Sequence, residues 1–432
     1  MADAALRLST LAEELLGAPL PVRIRTWDGS ESGPPGAPTL VFRHRRALRR
    51  LLWKPGELGL ARGWVAGEID IDGDLYAALG LIAGLVWERD ADADAKAAVH
   101  PLRDPRLRAA AKGLVGIVGP WPPPPPPPEE VRRRSGALHT KHRDRAAISH
   151  HYDVGNDFYE MVLGTSMVYS CAYFEEPGAT LEDAQRDKLD LVCRKLGLRE
   201  GERLLDVGCG WGSMAIHAAR EYGVQVTGVT LSREQAAYAR KRIADEGLTD
   251  RIEIRVQDYR DVKDGPYDAI SSIGMAEHVG SVRYREYADD LFALLKPGGR
   301  LLNHQIARRP EKDESRYRID DFIDAYVFPD GELAPLGRTV ATLEEAGFEA
   351  RDVESLREHY ALTLRHWVRN LERHWPEAVR ATSPGRARVW RLYMAASALS
   401  FEHNRIGVNQ ILAVRPRESG ASALPLRART WH

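Results

Sequence analysis

From residue 200 onward, short apolar runs and amphipathic stretches alternate along the chain. "ERLLDVGCGWG" is an apolar run that enters a glycine turn, "MAIHAAREYG" carries a helical period, and "VQVTGVTLS" reads as a strand. "REQAAYARKRIADEG" follows as a helix, "IEIRVQDY" and "YDAISSIG" as strands, the second buried, and "YREYADDLFALLKPGG" as a helix leading into the strand "RLLNHQIA". Strand and helix repeating in this order predict an α/β fold with a doubly wound parallel sheet. In such sheets ligands lie outside the carboxyl ends of the strands, so function is expected just after each strand. One such place, "SSIGMAEHVG" (271–280), sets Glu277 and His278 side by side, where an acid and a base could act together.

The earlier part of the chain is patterned differently. A first helix is expected in "MADAALRLSTLAEELLGAPL", then strand-like pieces "VRIRTW" and "TLVFRH" parted by "DGSESGPPGAP", then "PGELGLARGWVAGEIDIDGD" and an apolar helix, "LYAALGLIAGLVW" (75–87). That helix is too short to cross a bilayer and reads as core. The N-terminus lacks a basic region followed by an apolar one, so it does not read as a signal peptide. A run of seven prolines within "GPWPPPPPPPEEVRRRSG" (119–136) cannot be helix or central strand and predicts a stiff spacer. The expected division is therefore a smaller α+β domain over 1–120, a Pro-rich and basic linker over 121–140, a catalytic domain over 141–418 and a disordered tail over 419–432.

Composition narrows the classes. Apolar residues make up 44% and charged ones 28%, and the net charge of -1 gives no overall attraction to nucleic acid. A basic stretch, Arg132, Arg133, Arg134, Lys141, Arg143 and Arg145, could touch anionic lipid headgroups or be a solvated linker. Three cysteines, Cys171, Cys193 and Cys209, form no C-x-x-C pair, so neither a disulfide framework nor a metal site is expected and a reducing cytoplasm fits.

The glycine turn narrows them further. "DVGCGWG" places Gly208, Gly210 and Gly212 between strand and helix, where small residues let a ligand approach the backbone at a helix N-terminus. The spacing is G-x-G-x-G rather than G-x-G-x-x-G, and Thr230 stands where a dinucleotide fold would want an acid for the ribose, which argues against NAD. Asp206 before the glycines and Asp258 in "QDY" resemble the arrangement by which class I methyltransferases hold S-adenosylmethionine.

Six stretches in order extend that resemblance: "HYDVGNDFYEMVLGTSMVYSCAYF", "LLDVGCGWGSMAIHAA", "GVTLSREQ", "DYRDV", "GMAEHVG" and "AYVFPDGEL". Together, over residues 145 to 415, they resemble the cyclopropane-fatty-acyl-phospholipid synthase family, which includes mycolic acid cyclopropane synthases and actinobacterial enzymes making 10-methyl fatty acids. The resemblance implies a class I, Rossmann-like methyltransferase that moves the methyl group of S-adenosylmethionine onto the double bond of an unsaturated acyl chain of a phospholipid. It implies cofactor contacts at Tyr169, Ser170, Asp206, Gly208, Gly210, Thr230, Gln235, Asp258 and Tyr259. It also implies a bound bicarbonate ion as the base, held by Cys171, Glu277, His304, the backbone of Ile306, and Tyr360, with no metal. An alkene attacking a sulfonium methyl leaves a carbocation on the chain, and loss of a proton closes a cyclopropane. A hydride shift followed by proton loss leaves a methylene that a flavin- or NADPH-dependent reductase could saturate to a methyl branch. Both products stay open here, as does a homodimer. The place of work is expected to be the cytoplasmic face of the membrane. Tyr173, Phe174, Tyr326 and Phe328 could steady a cation through their ring faces or be ordinary core and lid aromatics. "RRPEKDESRYRIDD" (308–321) reads as a solvated loop bordering the site, and His278 as a buried histidine pointing the other way from Glu277. A non-catalytic lipid-binding protein and a methyltransferase for small polar molecules are the competing readings.

Overall fold

A computed structural model describes residues 3–93, 105–119, 121–131 and 154–426. The basic stretch from Arg132 to Arg145 lies outside the described residues, as do His151 to Asp153 of the first family-like motif and the last six residues of the expected tail. The chain divides into two compact units.

The first unit comprises Met1–Arg132 together with Asp321–Val327 and Ser383–Leu399. Its sheet has the order β2-β1-β3-β4, from β1 (Arg23–Arg25), β2 (Glu31–Ser32), β3 (Thr39–Phe42) and β4 (Ile69–Asp72). Phe42 of "TLVF" is buried and joins Ile24, Leu48 and Ile69 in a core closed by the helices Ala4–Leu16 and Arg46–Trp53. Gly63 is required by close packing: a Cβ there would sit 2.6 Å from Ile69 Cδ1. The proline run has neither helix nor strand, as its missing N–H groups require, yet it lies on this unit rather than apart from it. Arg50 donates to the Pro125 carbonyl at 2.8 Å while its other nitrogens grip the buried Glu68. Trp53 Nε1 donates to the Trp121 carbonyl at 2.9 Å.

The second unit holds Arg133–Asp320, Phe328–Thr382 and Ser400–His432. Its seven-stranded sheet has the order β10-β11-β9-β8-β5-β6-β7. These are β5 (Arg203–Val207), β6 (Gln225–Thr230), β7 (Ile252–Val256), β8 (Tyr267–Ile273), β9 (Leu295–Arg308), β10 (Glu349–Ser355) and β11 (Ile406–Val414). β5 to β9 are parallel, and β11 runs antiparallel between β9 and β10. Continuous apolar runs such as "RLLDV" follow from burial on both faces. Chain order reverses at β5, which pairs with both β6 and β8, and this switch point opens the crevice where ligands bind in such folds. The helix before β9 ends at Leu294, not at the glycines, and "LKPGG" already belongs to the strand; Pro297 cannot extend the helix.

Candidate active site

The cofactor-side residues converge at the switch point. Tyr169, Ser170, Asp206, Gly208, Gly210, Thr230, Gln235, Asp258 and Tyr259 all line one cleft at the carboxyl ends of β5, β6 and β7. The turn after β5 needs glycine: Gly208 and Gly210 have φ of 76° and 54°, and a Cβ at Gly210 would meet nothing within 4 Å, so the backbone there faces open space. The helix Ser213–Tyr222 begins just beyond, with its N–H groups toward that space.

Asp206 is buried at the end of β5. One carboxylate oxygen accepts from Ser271 Oγ at 2.8 Å, and the other, Oδ2, is enclosed without a partner. Burial raises its pKa to about 6, against the Ser271 hydrogen bond and the charge of Lys188. Thr230 Oγ1 donates to Gln235 Oε1 at 2.9 Å, tying the end of β6 to the first turn of the next helix, whose N-cap Ser232 accepts from the Gln235 amide. Asp258 is committed to its neighbour Arg260, which reaches both of its oxygens at 2.8 and 2.6 Å.

One cleft residue escaped the sequence reading. Lys188 lies in the helix Leu181–Leu196, is 1% exposed, and donates to Ser170 Oγ at 2.9 Å. Burial pulls its pKa down to about 8, against the charges of Cys171 and Asp206. The signal was a lysine on the apolar face of a helix, one turn from Ala184 and Leu191, where a solvated charge would not stand.

The five residues expected around an anion gather near β9 and β11. Glu277 sits in a short 3-10 turn after β8, and its Oε1 accepts from the Ile306 amide at 2.8 Å. Its Oε2 is enclosed with no partner, and burial raises the carboxyl pKa to about 7. His304 is buried opposite Gln410 of β11, whose amide meets Nδ1 at 3.3 Å, while Nε2 is enclosed without a partner. Burial, with Lys188 and Lys195 nearby, holds its pKa well below the ordinary value. Cys171 Sγ donates to the carbonyls of Ala172 (3.1 Å) and Leu356 (3.6 Å), and burial pushes its thiol far up, so it is no nucleophile. Tyr360 stands in the first turn of the helix Arg357–Arg373, its amide on the Leu356 carbonyl and its ring on Phe401. Leu356 in turn bonds to Val408, the β11 partner of Ile306.

Glu277 and His278, adjacent in sequence, face different spaces. His278 is buried and lines the first cleft, edge-on to Phe328, so it points the other way from Glu277, and burial lowers its pKa to about 4. Glu277 lines a second, half-open cavity of about 990 Å³, together with Ile306, Leu333, Leu336, Arg309 and Arg338. The loop of 308–321 lines that cavity as well. Among the other aromatics, Phe174 stacks on His366 and Tyr173 on His359, whereas the Tyr326 hydroxyl is bound to Glu130 in the first unit.

A doubly wound sheet in this strand order, with a glycine turn, a buried acid and a hydrogen-bonded Thr–Gln pair in one cleft, defines a class I S-adenosylmethionine-dependent methyltransferase. The chain belongs to the mycolic acid cyclopropane synthetase family, whose model matches residues 139–411. It is 43% identical over 412 residues, 94% of each chain, to a Mycobacterium tuberculosis protein named "Probable fatty acid methyltransferase". It is 38% identical over 283 residues to the cyclopropane-fatty-acyl-phospholipid synthase of Escherichia coli, covering 66% of this chain and 71% of that one. A solved mycolic acid cyclopropane synthase complexed with SAH and CTAB superposes with a TM-score of 0.59 at 33% identity, over 62% of this chain and 97% of that one.

Proposed function

We propose that this enzyme methylates the double bond of an unsaturated acyl chain carried by a phospholipid and that the product is a cyclopropane. The observation that carries the reading is a pair of enclosed polar atoms without partners, Glu277 Oε2 and His304 Nε2, beside the Ile306 amide that Glu277 holds. A buried polar atom left unpaired costs about 1–3 kcal/mol, so such a pair is expected to be completed by a ligand. A small hydrogen-bonding anion suits the set, with His304 as donor and Glu277 turned toward the ligand's hydroxyl. Bound S-adenosylmethionine supplies an electrophilic methyl, and bound bicarbonate a base. Asp206 Oδ2 and the open backbone at Gly210 fit the first of these. Glu277, its Oε1 held by the Ile306 amide and its Oε2 turned to the ligand, orients the anion while the anion takes the proton. The thiol of Cys171 and the ring of Tyr360 help close the space, because a carbocation on the acyl chain would be captured by water.

The second cavity suits the lipid. Ile306, Leu333 and Leu336 offer apolar wall to an acyl chain, and Arg309 and Arg338 offer charge to its phosphate. No helix among the described residues is long and apolar enough to cross a membrane, so the lipid would be met from the surface, on the cytoplasmic side in our reading. A second reading keeps every residue but ends in a methylene, reduced to a methyl branch by a flavin- or NADPH-dependent partner; a Mycobacterium tuberculosis relative named as a tuberculostearic acid methyltransferase, 32% identical over 92% of this chain, favours it.

Incubation with S-adenosylmethionine and oleoyl-phospholipid vesicles, followed by mass spectrometry of the fatty acids, tests both. A gain of one CH2 unit is expected, and NMR then separates ring from methylene. Absence of transfer to any acyl lipid would sink the proposal.

A further inference from the structure

Glu354 on β10, Gln410 on β11 and His304 on β9 form a single row across three adjacent strands, Glu354 opposite Gln410 and Gln410 opposite His304. Lys195, wholly buried at the end of the helix Leu181–Leu196, reaches this row. Its ammonium donates to Glu354, lies 3.7 Å from Asp352, and donates to Gln410 Oε1 at 2.8 Å.

The direction of these bonds is decided by chemistry. An ammonium has donors only, so Gln410 must turn its carbonyl oxygen toward Lys195; the flipped amide would set NH2 against NH3+. Gln410 Nε2 then faces His304 Nδ1 at 3.3 Å, and since the amide nitrogen only donates, Nδ1 must accept. A neutral imidazole that accepts at Nδ1 carries its proton on Nε2.

We propose that Lys195 and Gln410 are positioning residues that fix His304 as the Nε2–H tautomer, so that it presents a donor to an anionic oxygen. The step from tautomer to anion rests on the function proposed above; the tautomer itself does not. Nε2 is buried and unpartnered in the protein, which is where an acceptor from a ligand would complete it. The charged groups acting on His304 are Lys188 and Lys195 from one helix, with Glu354 and Asp352 of β10 reached through Lys195 and Glu277 bonded two residues along β9. Both lysines and burial keep the ring neutral, so a tautomer rather than a charge sets its polarity.

The test uses the full-length protein labelled with 15N-histidine, with the His304 signals assigned by their loss in His304→Ala. The wild-type ring is expected to show a protonated Nε2 and an unprotonated Nδ1 between about pH 6 and about pH 9, well away from the usual histidine titration. In Gln410→Glu the new carboxylate must accept from both Lys195 and His304, so Nδ1 takes up a proton. At low pH the ring is then an imidazolium that still donates at Nε2; at high pH its remaining proton is on Nδ1 and Nε2 cannot donate. The ratio of variant to wild-type methyl transfer is therefore expected to fall roughly 10–100-fold between about pH 6 and about pH 9, with affinity for S-adenosylhomocysteine unchanged. A wild-type spectrum with the proton on Nδ1, or a ratio that does not change with pH in a folded variant, overturns the proposal. If the spectrum shows Nε2–H while no acyl lipid is methylated, the tautomer assignment stands and the functional reading alone fails.

Discussion

At the scale of single residues, two buried carboxyl groups carry most of the argument. Asp206 and Glu277 each have one oxygen paired and one enclosed without a partner, and burial raises both pKa values, to about 6 and about 7. For Glu277 the sign is unusual. Its carboxyl binds a proton more tightly folded than unfolded, so it costs stability as pH rises from its ordinary value near 4.5 through about 7. Glu277→Gln keeps the acceptor for the Ile306 amide and removes that cost. Its stability advantage over wild type is expected to be near zero at pH 4 and to grow to about 3 kcal/mol at most above pH 7, as read from urea midpoints across pH. The same variant should lose about 100-fold in turnover while keeping its affinity for S-adenosylhomocysteine. Full activity in a folded Glu277→Gln would remove the anion site from the mechanism. The candidate carboxylate was legible from the "GMAEHVG" stretch, but its bond to Ile306 was not, because 29 residues separate the two.

At the scale of elements, the glycine turn and the row of strand ends govern the cleft. Gly210 holds φ of 54° beside open space, so a β-branched side chain would be both strained and thrust into the cleft where we propose the cofactor binds. Gly210→Val is expected to weaken binding of S-adenosylmethionine more than 100-fold by calorimetry, at a stability cost of about 1–2 kcal/mol. Period and turn chemistry made β5 to β8 and their helices readable from sequence. The apolar face shared with Ala184 and Leu191 marked Lys188 as enclosed, but its bond to Ser170 was not readable, because that contact is made only when the helix packs. Nor could the antiparallel insertion of β11 between β9 and β10 be read, although it sets Gln410 against His304.

At the scale of the whole molecule, the first unit is completed by segments far away in sequence. Arg62 and Tyr326 both bind the carboxylate of Glu130, at 2.7 and 2.9 Å to one oxygen, and thereby fasten the end of the proline run and the segment Asp321–Val327 to the helix Glu57–Val65. Truncating one partner leaves the other charge half-buried, so Glu130→Ala is expected to lower stability by about 2–3 kcal/mol, visible as a lower urea midpoint. Unchanged stability in that variant would show that the Arg62 pair contributes nothing.

What the sequence by itself determined is local. The alternation of apolar runs and amphipathic stretches, the glycine turn after β5 and the ordered motifs mark out the fold, the cofactor cleft and the family, because periodicity and turn chemistry act over a few residues. Tertiary structure alone decided which polar atoms were left without partners. It turned Glu277 and His278 toward different cavities and joined Lys195, Gln410 and His304 into one hydrogen-bonded row. Hydrogen bonding is directional and long-range pairing is set by the sheet, so the chemistry of a side chain could be listed from the sequence, but its partner, its proton and its burial could not.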